Sequence, residues 1–167
     1  MKHPTATKQS LPDGLETSIP AWHGEDPWLH MQRHRPTPMP AMHWHSHIEI
    51  NYLVDCALTY VSGSRLISVP PRRIAVFWAA VPHQVTKVEA LGQITCVYIP
   101  LQEFARWNLP VRFSHEVLHG GFLLSEEESR ADQLSFDRWL QDSQIDDSNY
   151  PGFPVSLRDT SQTRSLR

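Results

Sequence analysis

The chain has 167 residues, a formal net charge of −3 and about 40% hydrophobic residues, enough for one domain with a buried core and too few for two large ones. The near-balanced charge excludes the basic excess of a self-sufficient nucleic-acid-binding surface. Its two cysteines, Cys56 and Cys96, lack C-x-x-C spacing, which excludes a zinc knuckle, a redox dithiol and a disulfide scaffold and leaves them as small core residues. No apolar run reaches the ~20 residues of a membrane span, and no signal-like run follows Met1, so a cytoplasmic protein without a membrane partner is expected.

Residues 1–37 are rich in Pro, Thr, Ser, His and charge and read as a partly disordered arm, with Trp22, Trp28 and Met31 available to dock on the domain. Pro36-Thr37-Pro38-Met39-Pro40 forces an extended entry into the first strand. Met42 to Val54 then alternates. Met42, Trp44, Ile48, Ile50, Tyr52 and Val54 share one face, and His43, His45, His47, Glu49 and Asn51 share the other, which is the period of a β-strand. A helix would set the histidines at intervals of about 200°. Neighbours on the polar face stand ~6.5–7 Å apart, so two histidines there can lean onto one ion or small ligand.

Leu58–Val61 and Leu66–Val69 flank Ser62-Gly63-Ser64-Arg65, a hairpin signal. Ile74–Trp78, the run after Val81-Pro82-His83, and Ile94–Ile99 add further short strands. Closely spaced turn signals without helix between residues 42 and 100 predict an antiparallel sandwich or small barrel. Pro100 opens a short helix through Leu101, Phe104 and Ala105. Phe113 to Leu124, around Gly120-Gly121, reads as one more strand or irregular pairing. Ser125 with Glu128 forms a capping box for a helix through Leu134, Phe136, Trp139 and Leu140. The expected division is an arm over 1–37, a barrel over 38–110, a strand and helical segment over 111–145, and a disordered tail over 146–167.

The pattern His43-x-His45-x-x-x-Glu49, with Trp78-x-Ala80-x-x-His83 after it, resembles the two motifs of the cupin superfamily, whose metal-binding members read H-x-H-x(3 or 4)-E and P-x-G-x-x-H. Together with Phe77-Trp78-Ala79, Pro82-His83-Gln84 and Tyr98-Ile99-Pro100-Leu101, residues 37–145 resemble the N-terminal effector-binding domain of AraC-type transcriptional regulators, in the melibiose-operon-regulator subgroup. The resemblance implies a cupin-like antiparallel jelly-roll barrel followed by short C-terminal helices. Trp78 and Ala80 depart from it, standing where metal cupins carry Pro and Gly.

It further implies an effector pocket of His43, His45, Glu49, Asn51, Trp78 and His83 for a sugar or other small polar molecule, with Trp44 or Trp78 as a stacking surface. His43, His45, Glu49 and His83 also form a candidate ligand set for a divalent transition metal such as Zn, Fe, Ni or Mn. The arm over about 20–37 would take part in switching, and Leu134, Phe136, Trp139 and Leu140 would form a homodimer, or a heterodimer with a full-length relative. Those four residues can equally be core. Such regulators continue into two helix-turn-helix units, so the chain reads as truncated before its DNA-binding domain and is expected not to bind DNA specifically. Two alternatives stand beside this reading. The histidine face can be a solvated strand surface, or the chain can be a metal-binding cupin protein or small enzyme of dioxygenase or isomerase type, against which the scarcity of inward polar groups beyond Asn51 and Tyr60 argues.

Overall fold

The computed structural model describes residues 29–144. The proposed docking of Trp22 and Trp28 and the expected tail lie outside the described residues. In chain order the elements are β1 (His30–His34), β2 (Ile48–Val54), β3 (Ala57–Ser62), β4 (Arg65–Val69), β5 (Ile74–Trp78), β6 (His83–Glu89), β7 (Gln93–Ile99), α1 (Leu101–Arg106), α2 (Val111–Leu118), β8 (Phe122–Leu124) and α3 (Arg130–Gln144). One antiparallel sheet has the order β1-β7-β2-β5-β8 and a second the order β4-β3-β6. The fold is mainly β and antiparallel with short C-terminal helices, as expected. It is a sandwich rather than a closed barrel, since no strand pairing among the described residues closes the two sheets on themselves.

Two cores make three layers. Between the sheets lie Leu53, Leu58, Tyr60, Val69, Phe77 and Phe122 with both cysteines. On the other face of the larger sheet, Ile48, Tyr52, Val76, Val97 and Ile99 meet Phe104, Val117 and Phe136 of the three helices. Strand β2 is thus buried on both faces. Ile48, Ile50, Tyr52 and Val54 go under the helices, and Glu49, Asn51 and Leu53 point into the sandwich.

The run Met42–Val54 is not one strand, because residues 39–47 change sheets. Met39 N–H donates to the Val85 carbonyl at 2.8 Å, His43 and His83 exchange backbone bonds at 2.9 and 3.0 Å, and His45 N–H reaches the Ala79 carbonyl at 3.0 Å. Only from Ile48, opposite Trp78, does regular pairing with β5 begin. Such a crossing from the partner of one sheet into a strand of the other makes the corner of a sandwich.

Three other expectations change. The end of the expected arm is β1, an edge strand paired along β7 from His30↔Tyr98 to His34↔Ile94. The expected strand after Pro110 is instead helix α2, with only Phe122–Leu124 as strand. Its stop signal is a Schellman closure: Gly120 sits at φ +84°, Gly120 N–H donates to Val117 and Gly121 N–H to Glu116, at 3.1 and 2.9 Å. A Cβ on Gly121 would lie 2.6 Å from the Glu116 carbonyl oxygen, so the close approach needs glycine. Ser125 caps no helix. Its Oγ accepts from Ile74 N–H at 3.0 Å and its own N–H reaches the Ile74 carbonyl at 2.9 Å, which extends the β5–β8 pairing, and α3 starts only at Arg130.

Of the four residues assigned to a dimer helix, Phe136 is core, 1% exposed and stacked on Tyr52 at 4.9 Å and 15°. Trp139 and Leu140 pack at the edge of that core, while Leu134 is 69% exposed. Phe136→Ala should therefore destabilise the fold by about 3–5 kcal/mol, and Leu134→Ala should stay within about 0.5 kcal/mol. Urea unfolding of both variants checks this, and equal losses would contradict the placement of α3.

Candidate functional site

The site is built around one carboxylate. Glu49 stands opposite Phe77 on β5 and Tyr98 on β7, in the middle strand of the larger sheet, and is 5% exposed. Alternation along β2 sends Ile48 and Ile50 toward the helices and therefore Glu49 and Asn51 between the sheets. A carboxylate there must be hydrogen-bonded or paired to remain ionised. His45 Nε2 lies 2.7 Å from Oε1, His83 Nε2 lies 3.4 Å from the same oxygen, and Asn51 Nδ2 donates to Oε2 at 2.9 Å. Asn51 Nδ2 also reaches the Tyr60 hydroxyl at 3.4 Å.

Each histidine arrives from a different part of the corner. His83 begins β6, where its backbone bridge to His43 holds both rings together, their centroids 4.2 Å apart. His83 Nδ1 is 3.0 Å from the Val81 carbonyl, a bond that needs a proton on Nδ1 and turns Nε2 toward Glu49, to which it donates when the ring carries its second proton. This is the arrangement by which metal-binding histidines are oriented from behind. One ligand atom from each of His43, His45, Glu49 and His83 lies within 4.8 Å of the others. His83 and Glu49 are buried, His45 is partly covered, and His43 is exposed, so the cluster opens to solvent on the His43 side.

Electrostatics follow from this packing. Burial alone would raise the Glu49 carboxyl, but hydrogen bonds from His45 and His83, with their nearby charge, hold it well below the usual carboxylate range. Burial would lower His83, yet its bond to Glu49, the Glu49 charge and the Val81 carbonyl together raise it above the ordinary imidazole value. His43, exposed on one side but with its ring packed on His83, is lowered to about 4, by this partial burial first and then by repulsion from His83, so it is a neutral donor at neutral pH. Burial also pushes the Tyr60 and Tyr98 phenols up, with Cys96 and Glu49 adding to the effect, so both remain protonated.

The structure thus gathers His43, His45, Glu49, Asn51 and His83 from the sequence-derived set and separates Trp78 from it. Trp78 lies on the helix-covered face of β5 and donates its indole N–H to the Ser46 carbonyl at 3.1 Å. Trp44 is exposed. His47 is fully buried beside His45, ring centroids 5.5 Å apart, and is outside the four-ligand group. Sequence reasoning does not place Tyr98 at the site, yet its ring packs 5.7 Å from that of His45 and its hydroxyl accepts from Gln32 of β1 at 2.9 Å. The only signal for it is its parity with Ile94 and Cys96 on the inward face of β7.

Over 107 residues the chain is 27% identical to the melibiose operon regulatory protein of Escherichia coli strain K12, and equally so to that of Escherichia coli O6:H1, covering 64% of this chain and 35% of each relative. The chain spans about a third of the length of these curated relatives. The similarity supports a relation to AraC-type regulators. No family model matches the chain. No described helix is long and apolar enough to cross a membrane.

If Glu49 sets the state of His83, Glu49→Gln should move the His83 pKa downward, because burial then acts against a weaker opposing interaction. Titration of the ring resonances by NMR measures this. An unchanged His83 titration would show that the carboxylate is not its controlling partner.

Proposed function

We propose that this chain is the effector-sensing part of an AraC-type transcriptional regulator, and that the Glu49 cluster is where it senses. The observation that supports this best is the convergence of three imidazoles and one carboxylate within 4.8 Å at the corner of the sandwich, open at His43 and closed behind by Phe77, whose ring meets that of His83 at 5.0 Å. A small polar effector, of the sugar class to which the relatives' name refers, would find the neutral His43 imidazole, the Glu49 carboxylate and Asn51. Asn51 Oδ1 is buried with no hydrogen-bond partner among the described residues.

The same donors fit a divalent transition metal. His43, His45, Glu49 and His83 are the nitrogen and oxygen ligand types that Zn, Fe, Ni or Mn take, and His83 is already oriented through its other ring nitrogen. A bound ion would supply a Lewis-acid centre with open positions for an oxygen ligand. What the chain itself does is hold Glu49 ionised, keep His43 unprotonated and fix His83. Dimerisation, with a second copy or with a full-length relative, belongs to this proposal as well: Leu134 with the half-covered Trp139 and Leu140 are the apolar groups that α3 offers.

Calorimetric titration with Zn²⁺ or Ni²⁺, and separately with melibiose, tests the site. His45→Ala and His83→Ala should each remove most of the binding, while His47→Ala should change stability rather than binding. Affinity should fall as pH drops from about 7 to 5, because a proton on imidazole competes with a ligand for the same nitrogen. The raised His83 makes that fall begin above the ordinary imidazole value of ~6.5, whereas Glu49, held low, stays ionised throughout and contributes nothing to it. Absence of any metal or sugar binding to the unmodified chain at pH 7.5 would reduce the cluster to a buried structural network.

A further inference from the structure

A second concave site lies away from the Glu49 cluster. A cleft of about 420 Å³ is lined by Arg65 at the start of β4, by Arg112, His115 and Glu116 of α2, and by His119 with the Gly120-Gly121 turn. It is shallow and open to solvent, with all five charged or titratable lining side chains exposed, so charge rather than enclosure decides what it takes. Four cation-capable side chains from two separate elements face it against one carboxylate. Neither Arg65 nor Arg112 forms an ion pair among the described residues.

Two features decide what such a cleft takes. His115-Glu116-Val117-Leu118-His119 has the H-E-x-x-H spacing of helical zinc sites, and the two rings stack at 3.8 Å. Yet the group of three or more metal donors found among the described residues is the Glu49 one, so the pair has no third ligand in reach, and two guanidiniums oppose a cation. Three of the last four carbonyls of the helix are engaged, His115 by the His119 ring at 2.7 Å, Val117 by Gly120 N–H at 3.1 Å and Glu116 by Gly121 N–H at 2.9 Å, which reduces the negative charge that the helix end presents. Two guanidiniums against the one Glu116 carboxylate leave the formal charge of the lining side chains positive.

We propose that this cleft binds a small oxyanionic ligand, a phosphate or carboxylate group held between Arg65 and Arg112 with the His115–His119 pair beside it. Guanidinium is the side chain best shaped to take either group through two parallel hydrogen bonds. Gly63 and Gly120 both lie beside Val81, whose two methyls a Cβ on either glycine would meet at 3.6 and 3.4 Å, and Gly63 N–H donates to the Pro82 carbonyl at 2.9 Å. An anion spanning Arg65 and Arg112 would clamp the β3–β4 hairpin to α2.

The test uses the full chain with inorganic phosphate and with succinate, followed by NMR amide shifts and calorimetry. Saturable shifts at Gly63, Gly120 and Val81, with affinity lowered by about five- to tenfold in each of Arg65→Ala and Arg112→Ala, support the site. Both arginines are exposed, so these variants keep the fold. Preference for one of the two anions identifies which oxyanion the cleft is built for. Three results overturn the proposal: no saturable shift with either anion, affinity unchanged in both arginine variants, or uptake of Ni²⁺ that is lost in His115→Ala without any anion binding.

Discussion

The buried charge of Glu49 is the constraint around which the site end of the sandwich is arranged. A carboxylate in the middle strand of a sheet has lost its water, and in a medium of low dielectric it is tolerated only with charge-assisted partners. Two of those partners are local and one is distant. His45 precedes β2, Asn51 follows two residues along β2 itself, and His83 begins β6. The segment 39–47 therefore cannot simply prolong β2. It runs against β6 and the Ala79 turn, bringing His43 and His45 over the carboxylate, and crosses to the larger sheet only at Ile48.

How much of this was legible in the sequence depends on which physical signal each element carries. Alternation along residues 48–54 put Ile48, Ile50, Tyr52 and Val54 on one face and Glu49 and Asn51 on the other, as the structure has them, because period two is independent of what covers each face. What covers them was not legible. A face of His, Glu and Asn reads as solvated, yet Glu49 and Asn51 are buried, and their partners are fixed by long-range pairing. Helix α2 was hidden because Phe113, Val117 and Leu118 are few, and Gly120-Gly121 reads equally as a hairpin turn. Only the backbone bonds of the closed C-terminus distinguish the two.

The site obeys the same distinction between local period and distant pairing. Even spacing put His43, His45, His47 and Glu49 on one face, and it was the resemblance to the cupin motifs that left out His47 and added the distant His83, the set that the structure brings together. Trp78 failed for want of register. Phe77 and Trp78 are neighbours that must face opposite ways, and the pairings Glu49↔Phe77 and Ile48↔Trp78 choose between them. Tyr98 sits on the other side of Glu49 in register, a position no local pattern around Ile94–Ile99 announces.

A contact chain leads from the cluster to the helical layer. His45 packs on Tyr98, Tyr98 accepts from Gln32 of β1, and the neighbouring Arg33 of β1 bonds Thr95 at 2.7 Å and pairs with Asp137 of α3 at 2.6 Å. β1 is an edge strand, held by β7 on one side only, and edge elements lie at the low end of local stability when few apolar groups anchor them. Met31 is its buried apolar anchor. A ligand biases a structure only through different affinities for two arrangements, so occupancy of the Glu49 cluster can reach α3 along this chain only if it changes how firmly Tyr98 holds β1. The strand that the sequence presents as the end of an arm is thus an element that touches both the Glu49 corner and the helix carrying Leu134.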